Sequence, residues 1–386
     1  HLEEDGVMIF TVEAKDFRAA LQIAGRVIPS KSPWPILTNL KIVTNDDRVT
    51  LTGSNGDMTF EADVPAEIET EGAAILSHDV LTKFCTASKK GTLKVAQDGH
   101  TIKVSAGRSR IALSAGPMDD FPIYRPADGE AVDLDADTLA RALRFCVAAA
   151  STEESKYFLQ GAFITSGSAG VDVFGTDGYG LHIAAMPDAP SVGAGAILPR
   201  DAVDFITSAC EDRDTVSLMV SEKGWLCAAG GLRAWGKVVD GSFPDVRRVI
   251  EGFGNGDVFA VAPVDDLDGA IRIATVGADE VRKRGRGLVF IAEEGDPIII
   301  RGGKAVSGVT APGRAEMETA AKASARFCVS SDLLARVLPS FKGDIEIASL
   351  KGGDGVRVRP AQEDAHLSLS ATIMGIRATE AELQDV

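Results

Sequence analysis

Cysteine is scarce and scattered in this chain. Cys85, Cys146, Cys210, Cys227 and Cys328 are the five among 386 residues, an odd number with no C-x-x-C pair. That pattern argues against a disulfide framework or a zinc ribbon and fits reduced thiols in a cytoplasmic protein. Aromatic residues are also few, at 6%, so the cores have to be built from Ile, Leu, Val and Ala. No apolar run reaches the ~18 residues of a membrane span, and no charged-then-apolar leader opens the chain. His1 to Val7 read as an added leader, with Met8 as the native start.

Converging catalytic groups are missing as well. His1, His78, His100, His182 and His366 are dispersed, and none stands four residues from another. Ser77-His78-Asp79 is contiguous, which is the wrong geometry for a triad and suits a helix cap. Gly175-x-x-Gly178-x-Gly180 lacks the P-loop lysine and the Rossmann spacing, so it reads as a turn. Asp133-x-Asp135-x-Asp137 lacks the glycine and distal Glu of a calcium loop and reads as a strand entering a helix cap. No enzyme, metal or cofactor is expected from such a set.

What is present is a repeat. Shifted by 122 residues, the chain matches itself without gaps: Phe17, Ala20 and Leu21 fall on Leu139, Ala142 and Leu143, and Leu37 falls on Leu159. Gly53-Ser54-Asn55-Gly56 falls on Gly175-Thr176-Asp177-Gly178, Ala74-Ile75-Leu76 on Ala196-Ile197-Leu198, and Phe121-Pro122 on Phe243-Pro244. A weaker third copy follows, with Leu267, Ala270 and Ile271 at an offset of 128 and Asp332 with Leu334 at 131. Three domains are expected, near 8–127, 128–252 and 253–377. Each copy also halves at an offset of 64, since Val12 and Phe17 match Leu76 and Leu81. Alternating strands such as Arg48–Thr52 and Thr92–Val95 flank helices that start near Asp16, Asp79, Asp137, Asp201 and Asp332. A carboxylate there meets unpaired N–H groups and the positive end of the helix dipole. The fold class is α+β, with six strand-helix-strands units.

The net charge of −16 is unevenly spread. The six expected helices, 15–26, 78–90, 136–150, 199–210, 263–276 and 331–342, hold 12 Lys/Arg against 9 Asp, or +3, so the remainder carries −19. Six helices on one surface would make it mildly basic while the sheets stay acidic. Arg282-Lys283-Arg284-Gly285-Arg286 adds a dense basic loop able to reach phosphates.

Several segments resemble the bacterial DNA polymerase III beta subunit, the beta sliding clamp. They are Pro35–Leu40, Ser109–Leu113 running into Asp120-Phe121-Pro122, Lys156-Tyr157-Phe158-Leu159, Thr176-Asp177-Gly178 and, most specifically, Val239–Val249. The resemblance spans residues 8 to 377. It implies three clamp domains per chain, helices inside and sheets outside, and a head-to-tail homodimeric ring around duplex DNA without sequence preference. It also implies linear-peptide partners: the polymerase III catalytic subunit, the clamp loader and other clamp-binding proteins. The peptide pocket would draw on Leu159, Thr176, Gly178, Tyr179, Leu181, Pro244, Arg248, Val249, Met374, Gly375, Ile376 and Arg377. DNA contacts would come from Arg18, Lys31, Arg141, Arg144, Arg282, Lys283, Arg284 and Arg286. The dimer interface would use Ile111, Leu113 and Val276.

Three departures stand out. The family usually has His-Arg at Tyr179-Gly180 and Pro at Gly375, and usually ends near Arg377, whereas this chain continues through an acidic tail, 378–386. A specialised second clamp, or a repeat-built protein-binding scaffold without DNA function, are the alternatives at this point.

Overall fold

A computed structural model describes residues 8–88, 91–116, 118, 121–123, 129–254, 256–278, 286–303, 311–351 and 354–376. The leader 1–7, Arg282, Lys283, Arg284, Arg377 and the tail lie outside them. Among the described residues there are 24 strands and seven α-helices: α1 (Ala14–Ala24), α2 (His78–Ala87), α3 (Ala136–Val147), α4 (Arg200–Ala209), α5 (Val246–Phe253), α6 (Val264–Ala274) and α7 (Ser331–Val337). Leaving α5 aside, one order occurs three times: strand, helix, four strands, helix, three strands. The first helices of the first two copies begin at Ala14 and Ala136 and the second ones at His78 and Arg200, in both cases 122 positions apart.

The helix starts follow the expected chemistry. Ser77 Oγ accepts from the backbone of Val80, and Asp79 pairs with Lys83 at 2.7 Å one turn on. Asp135 Oδ1 accepts from Thr138 N at 2.8 Å, so the Asp-rich string enters α3 as a cap. Two expectations need correction. The segment 331–342 is α-helical only to Val337, because Pro339 cannot donate to a third turn and Leu338–Ser340 tighten into a 3-10 turn. Between the expected helices 199–210 and 263–276, where none was expected, lies α5, capped by Asp245.

By compactness the backbone divides into two units, one running through Ala140 with Val192–Val238 and the other comprising Arg141–Ser191 with the chain from Val239. In the first, paired strands run in the order 109–114, 101–106, 92–98, 9–13, 58–70, 232–236, 224–229, 215–221 and 132–135. The 13-residue strand Met58–Thr70 holds this sheet together. Its end at Ala66–Thr70 pairs with Ile9–Val12, and its start at Met58–Ala62 pairs with Leu232–Gly236. In the second unit, strands 161–166, 170–176, 180–187, 368–374, 355–360, 344–349 and 257–263 pair in that order, and 314–320, 297–302, 287–292 and 325–330 form a separate sheet.

Helices bury one stripe each, as Phe17, Ala20, Leu21 and Ala24 do in α1. Where the end of a helix crosses the sheet, the strand must be bare. A Cβ on Gly175 would lie 1.7 Å from the carbonyl oxygen of Cys146, and one on Gly302 2.8 Å from that of Ala274. In the first copy the same place is closed by side chains, since a Cβ on Gly53 would lie 2.4 Å from Phe60 and 2.7 Å from Ile28.

His182 stands at the centre of the second copy, where the first has Phe60. It is buried, stacked on Phe145 with centroids 4.5 Å apart, and its Nδ1–H donates to the Phe145 carbonyl at 2.7 Å. Burial lowers its pKa from 6.5 to about 4. The unfolded imidazole therefore takes a proton at higher pH than the folded one. Stability is full above about pH 6.5 and falls toward pH 4, with a slope of at most about 1.4 kcal/mol per pH unit from this group. Comparing His182→Phe with the parent by denaturant unfolding at several pH values should show that slope flattened. An unchanged slope would assign the acid sensitivity to carboxylates.

Candidate peptide-docking site

The residues expected at the pocket sit on four pieces of chain, all within the second unit. The first is the turn Thr176–Gly180. Thr176 Oγ1 donates to the Gly180 carbonyl at 2.6 Å and accepts from Gly178 N at 3.0 Å. Asp177 Oδ1 accepts from both Tyr179 N and Gly180 N at 2.9 Å, and its other oxygen pairs with Arg336 at 3.0 Å. Gly178 has φ +90°, a left-handed conformation that glycine adopts without strain. The turn is thus fixed by its own polar side chains.

The second piece is the strand end Thr372–Ile376. Gly180 and Leu181 pair with Ile373 and Thr372, and Met374 N donates to the Tyr179 carbonyl at 2.8 Å. Gly375 and Ile376 continue by donating to Asp354 and Cys328. The third piece is the connector with α5. Val246 joins Leu181 and Phe174 in a buried cluster, against which Phe163, Ile183, Phe243 and Ile250 pack. Phe243 stacks on Phe163 at 5.0 Å. Pro244, Arg248 and Val249 lie on the exposed side of this segment. The fourth piece is the 3-10 turn Glu154–Leu159, whose Leu159 is buried and whose Tyr157 is exposed.

Lys156 was not among the expected residues, yet it joins two of these pieces. Its ammonium donates to Glu153 at 2.9 Å and to the Asp177 carbonyl at 3.2 Å, and lies 4.9 Å from the centre of the Tyr179 ring. The hydrogen bond to Glu153, first among the causes, raises its pKa. The α5 helix was also missed, although Asp245 before Val246, Val249 and Ile250 is a cap followed by helical spacing.

The expected DNA-facing residues fall in both units. Arg18 is half-buried on α1, and Lys31 is exposed in the loop after it. Arg141 and Arg144 are exposed on α3, with Arg141 paired to Asp364 at 3.2 Å. Arg286 is exposed at the head of strand 287–292. Of the dimer candidates, Ile111 and Leu113 are half-buried on strand 109–114, and Val276 is exposed after α6. Among the described residues no group of three His, Cys, Asp or Glu is arranged to hold a metal, and no helix is long and apolar enough to cross a membrane.

Comparison with known proteins supplies the family. The models of the DNA polymerase III beta subunit match at residues 8–125 for the N-terminal domain and 133–245 for the central domain. A beta sliding clamp of Caulobacter vibrioides is 30% identical over 294 residues, covering 71% of this chain and 77% of that protein. The chain belongs to the beta sliding clamp family. The clamp of Escherichia coli K12 is 27% identical over 248 residues, 63% of this chain and 68% of its own. The crystal structure of the C. crescentus clamp superposes with a TM-score of 0.84 at 25% identity, over 97% of this chain and 100% of that one. A Pseudomonas aeruginosa clamp bound to griselimycin gives 0.87 at 21% identity, with coverage of 97% and 100%.

Proposed function

We propose that this chain encircles duplex DNA as a head-to-tail homodimer and tethers the replicative polymerase and other DNA-processing proteins, without catalysing a reaction itself. The observation that carries the ring is a joint made twice within the chain and left open a third time. Strand 58–70 pairs with 232–236, placing Phe60 opposite Ala234. Strand 180–187, its equivalent in the second copy, pairs with 368–374, placing His182 opposite Ala371. The third equivalents are strand 314–320, which among the described residues pairs on one side only with 297–302, and strand 109–114, which among them pairs only with 101–106. Edges of this kind are ready templates for another chain.

The repeat also sets the register. Gly53, Gly175 and Gly302 stand across from Phe60, His182 and Gly313. Ala234 and Ile111 each lie two residues past a hairpin, after Leu232 and Ser109. Gly313 would therefore face Ile111 of a second copy, and Arg314 would face its Arg110. Exposed apolar groups support the same joint. Phe145, tenth residue of α3, is buried against Phe341 at 5.6 Å, whereas Ile273, tenth of α6, is 54% exposed and Val276 67% exposed. Two such contacts close a ring.

Sliding requires contacts that ignore sequence, which Lys and Arg on phosphates provide. Arg18, Lys31, Arg141, Arg144 and the basic loop are proposed in that role. The chain should stay on nicked circular DNA and slip off once the circle is cut. Ile111→Ala with Leu113→Ala should abolish retention and yield monomer by light scattering, since each such side chain is worth ~1.5–3 kcal/mol on burial. Equal retention on circular and linear DNA would reject encirclement.

The docking site is proposed to take a linear peptide with apolar anchors of the Gln-Leu-x-Leu-Phe type, seated by Leu159, Leu181, Val249, Met374 and Ile376, with Arg248 at the rim. A Cβ on Gly180 would sit 3.6 Å from Leu333 and 4.0 Å from Asp177, ordinary contacts, so a larger side chain fits. In a fluorescence titration with one labelled peptide, Gly180→Arg should bind at least as tightly as the parent, and Met374→Ala about tenfold more weakly. Identical affinities for all three would place the pocket elsewhere.

A further inference from the structure

We propose that Trp34 is a stacking platform for an unpaired nucleic-acid base, with Lys31 beside it taking a flanking phosphate. The inference rests on the reading of the chain as a clamp on DNA. Of the three tryptophans, Trp225 and Trp235 are buried, at 0% and 8%, while Trp34 is 67% exposed. An indole left in water is a poor use of a large apolar side chain unless something covers it.

Its backbone is held on both sides. Pro33 and Pro35 flank it, its N–H donates to Ser32 Oγ at 3.1 Å, and its carbonyl accepts from Leu37 N at 3.1 Å to open the 3-10 turn Pro35–Thr38. The ring is therefore presented from a fixed base, with only two side-chain torsions to order on binding.

Charge selects the occupant. From Phe17 to Asn45, 29 residues carry Arg18, Arg26, Lys31 and Lys41 and no Asp or Glu, in a chain of net charge −16. Arg26 and Lys31 are exposed. The repeat supplies a control: at the offset of 122, Trp34 falls on Lys156, and that turn carries Glu153 and Glu154. The acid-free stretch belongs to the first copy alone of these two. A cationic stretch of chain without acids, carrying one projecting aromatic ring, matches a polyanion that offers flat faces. Duplex bases are stacked on one another and hide those faces, so the occupant is single-stranded DNA, as at the overhang of a primed template. Every base has a π-face, so little sequence preference is expected.

The two buried tryptophans leave Trp34 as the responsive fluorophore. Titrating the full chain with short oligothymidylate at low salt should quench its emission, and a blunt duplex of the same length should quench much less. By anisotropy of a labelled oligothymidylate, Trp34→Leu should bind about tenfold more weakly or worse, while Trp34→Phe keeps most of the affinity. Lys31→Ala should lower the salt slope by about 0.7. Retention of Trp34→Leu on nicked circular duplex should match the parent, which separates this idea from encirclement itself. Equal quenching by duplex, unchanged oligonucleotide affinity in Trp34→Leu, or quenching by an acidic peptide but not by oligothymidylate would each overturn it.

Discussion

Every strand edge in a sheet carries main-chain N–H and C=O groups that need partners, and this protein is organised around how those edges are met. Strand 58–70 passes its edge to strand 232–236, and strand 180–187 passes its edge to strand 368–374, so each sheet continues from one repeat into the next. Among the described residues, sheet ends remain at 73–77, 132–135, 196–199, 257–263 and 325–330 as well as at 109–114 and 314–320, and the last two are the counterparts of the strands that make this joint twice within the chain. A repeat that solves the problem internally twice has the same solution available once more, between copies. The proposed ring follows from that repetition, and processivity would follow from the ring: topology, not affinity, would keep it on DNA.

The same economy explains the residues the repeat preserves. Gly175 is kept because a helix-end carbonyl occupies the space a Cβ would need, and Gly302 meets the equivalent carbonyl. Where the second copy has Asp177 the first has Asn55, and in both a side-chain oxygen takes the N–H groups of the turn, while the Asp177 carboxylate also anchors Arg336. Positions without such a duty have diverged. Phe60, His182 and Gly313 share one place in the fold but not one chemistry, and the imidazole buried there titrates far below its usual range.

Much of this was legible in the sequence, for physical reasons. Helix starts were readable because Asp and Ser caps act locally, and the repeat because glycines and apolar faces are fixed by packing. The third copy was fainter, and the strand pairing of 297–302 with 314–320 carries a bulge that shifts its register. The α5 helix was hidden by its shortness and by the Pro and Gly before it. The role of Lys156 was not readable at all, because its partners Asp177 and Tyr179 are brought to it only by the fold. Nor could sequence tell that Ile273 stays exposed, since its spacing is that of an ordinary core position.

The most direct measurement is of the open joint's register. The five native thiols are buried, so introduced cysteines can be read against a quiet background. With Arg110→Cys and Arg314→Cys in one chain, mild oxidation should give a covalent dimer in high yield, because directly opposed strand positions lie within disulfide reach. Pairing Arg110→Cys with Glu316→Cys, two residues out of register, should give far less. A monomer under both conditions, or faster cross-linking of the shifted pair, would contradict the account.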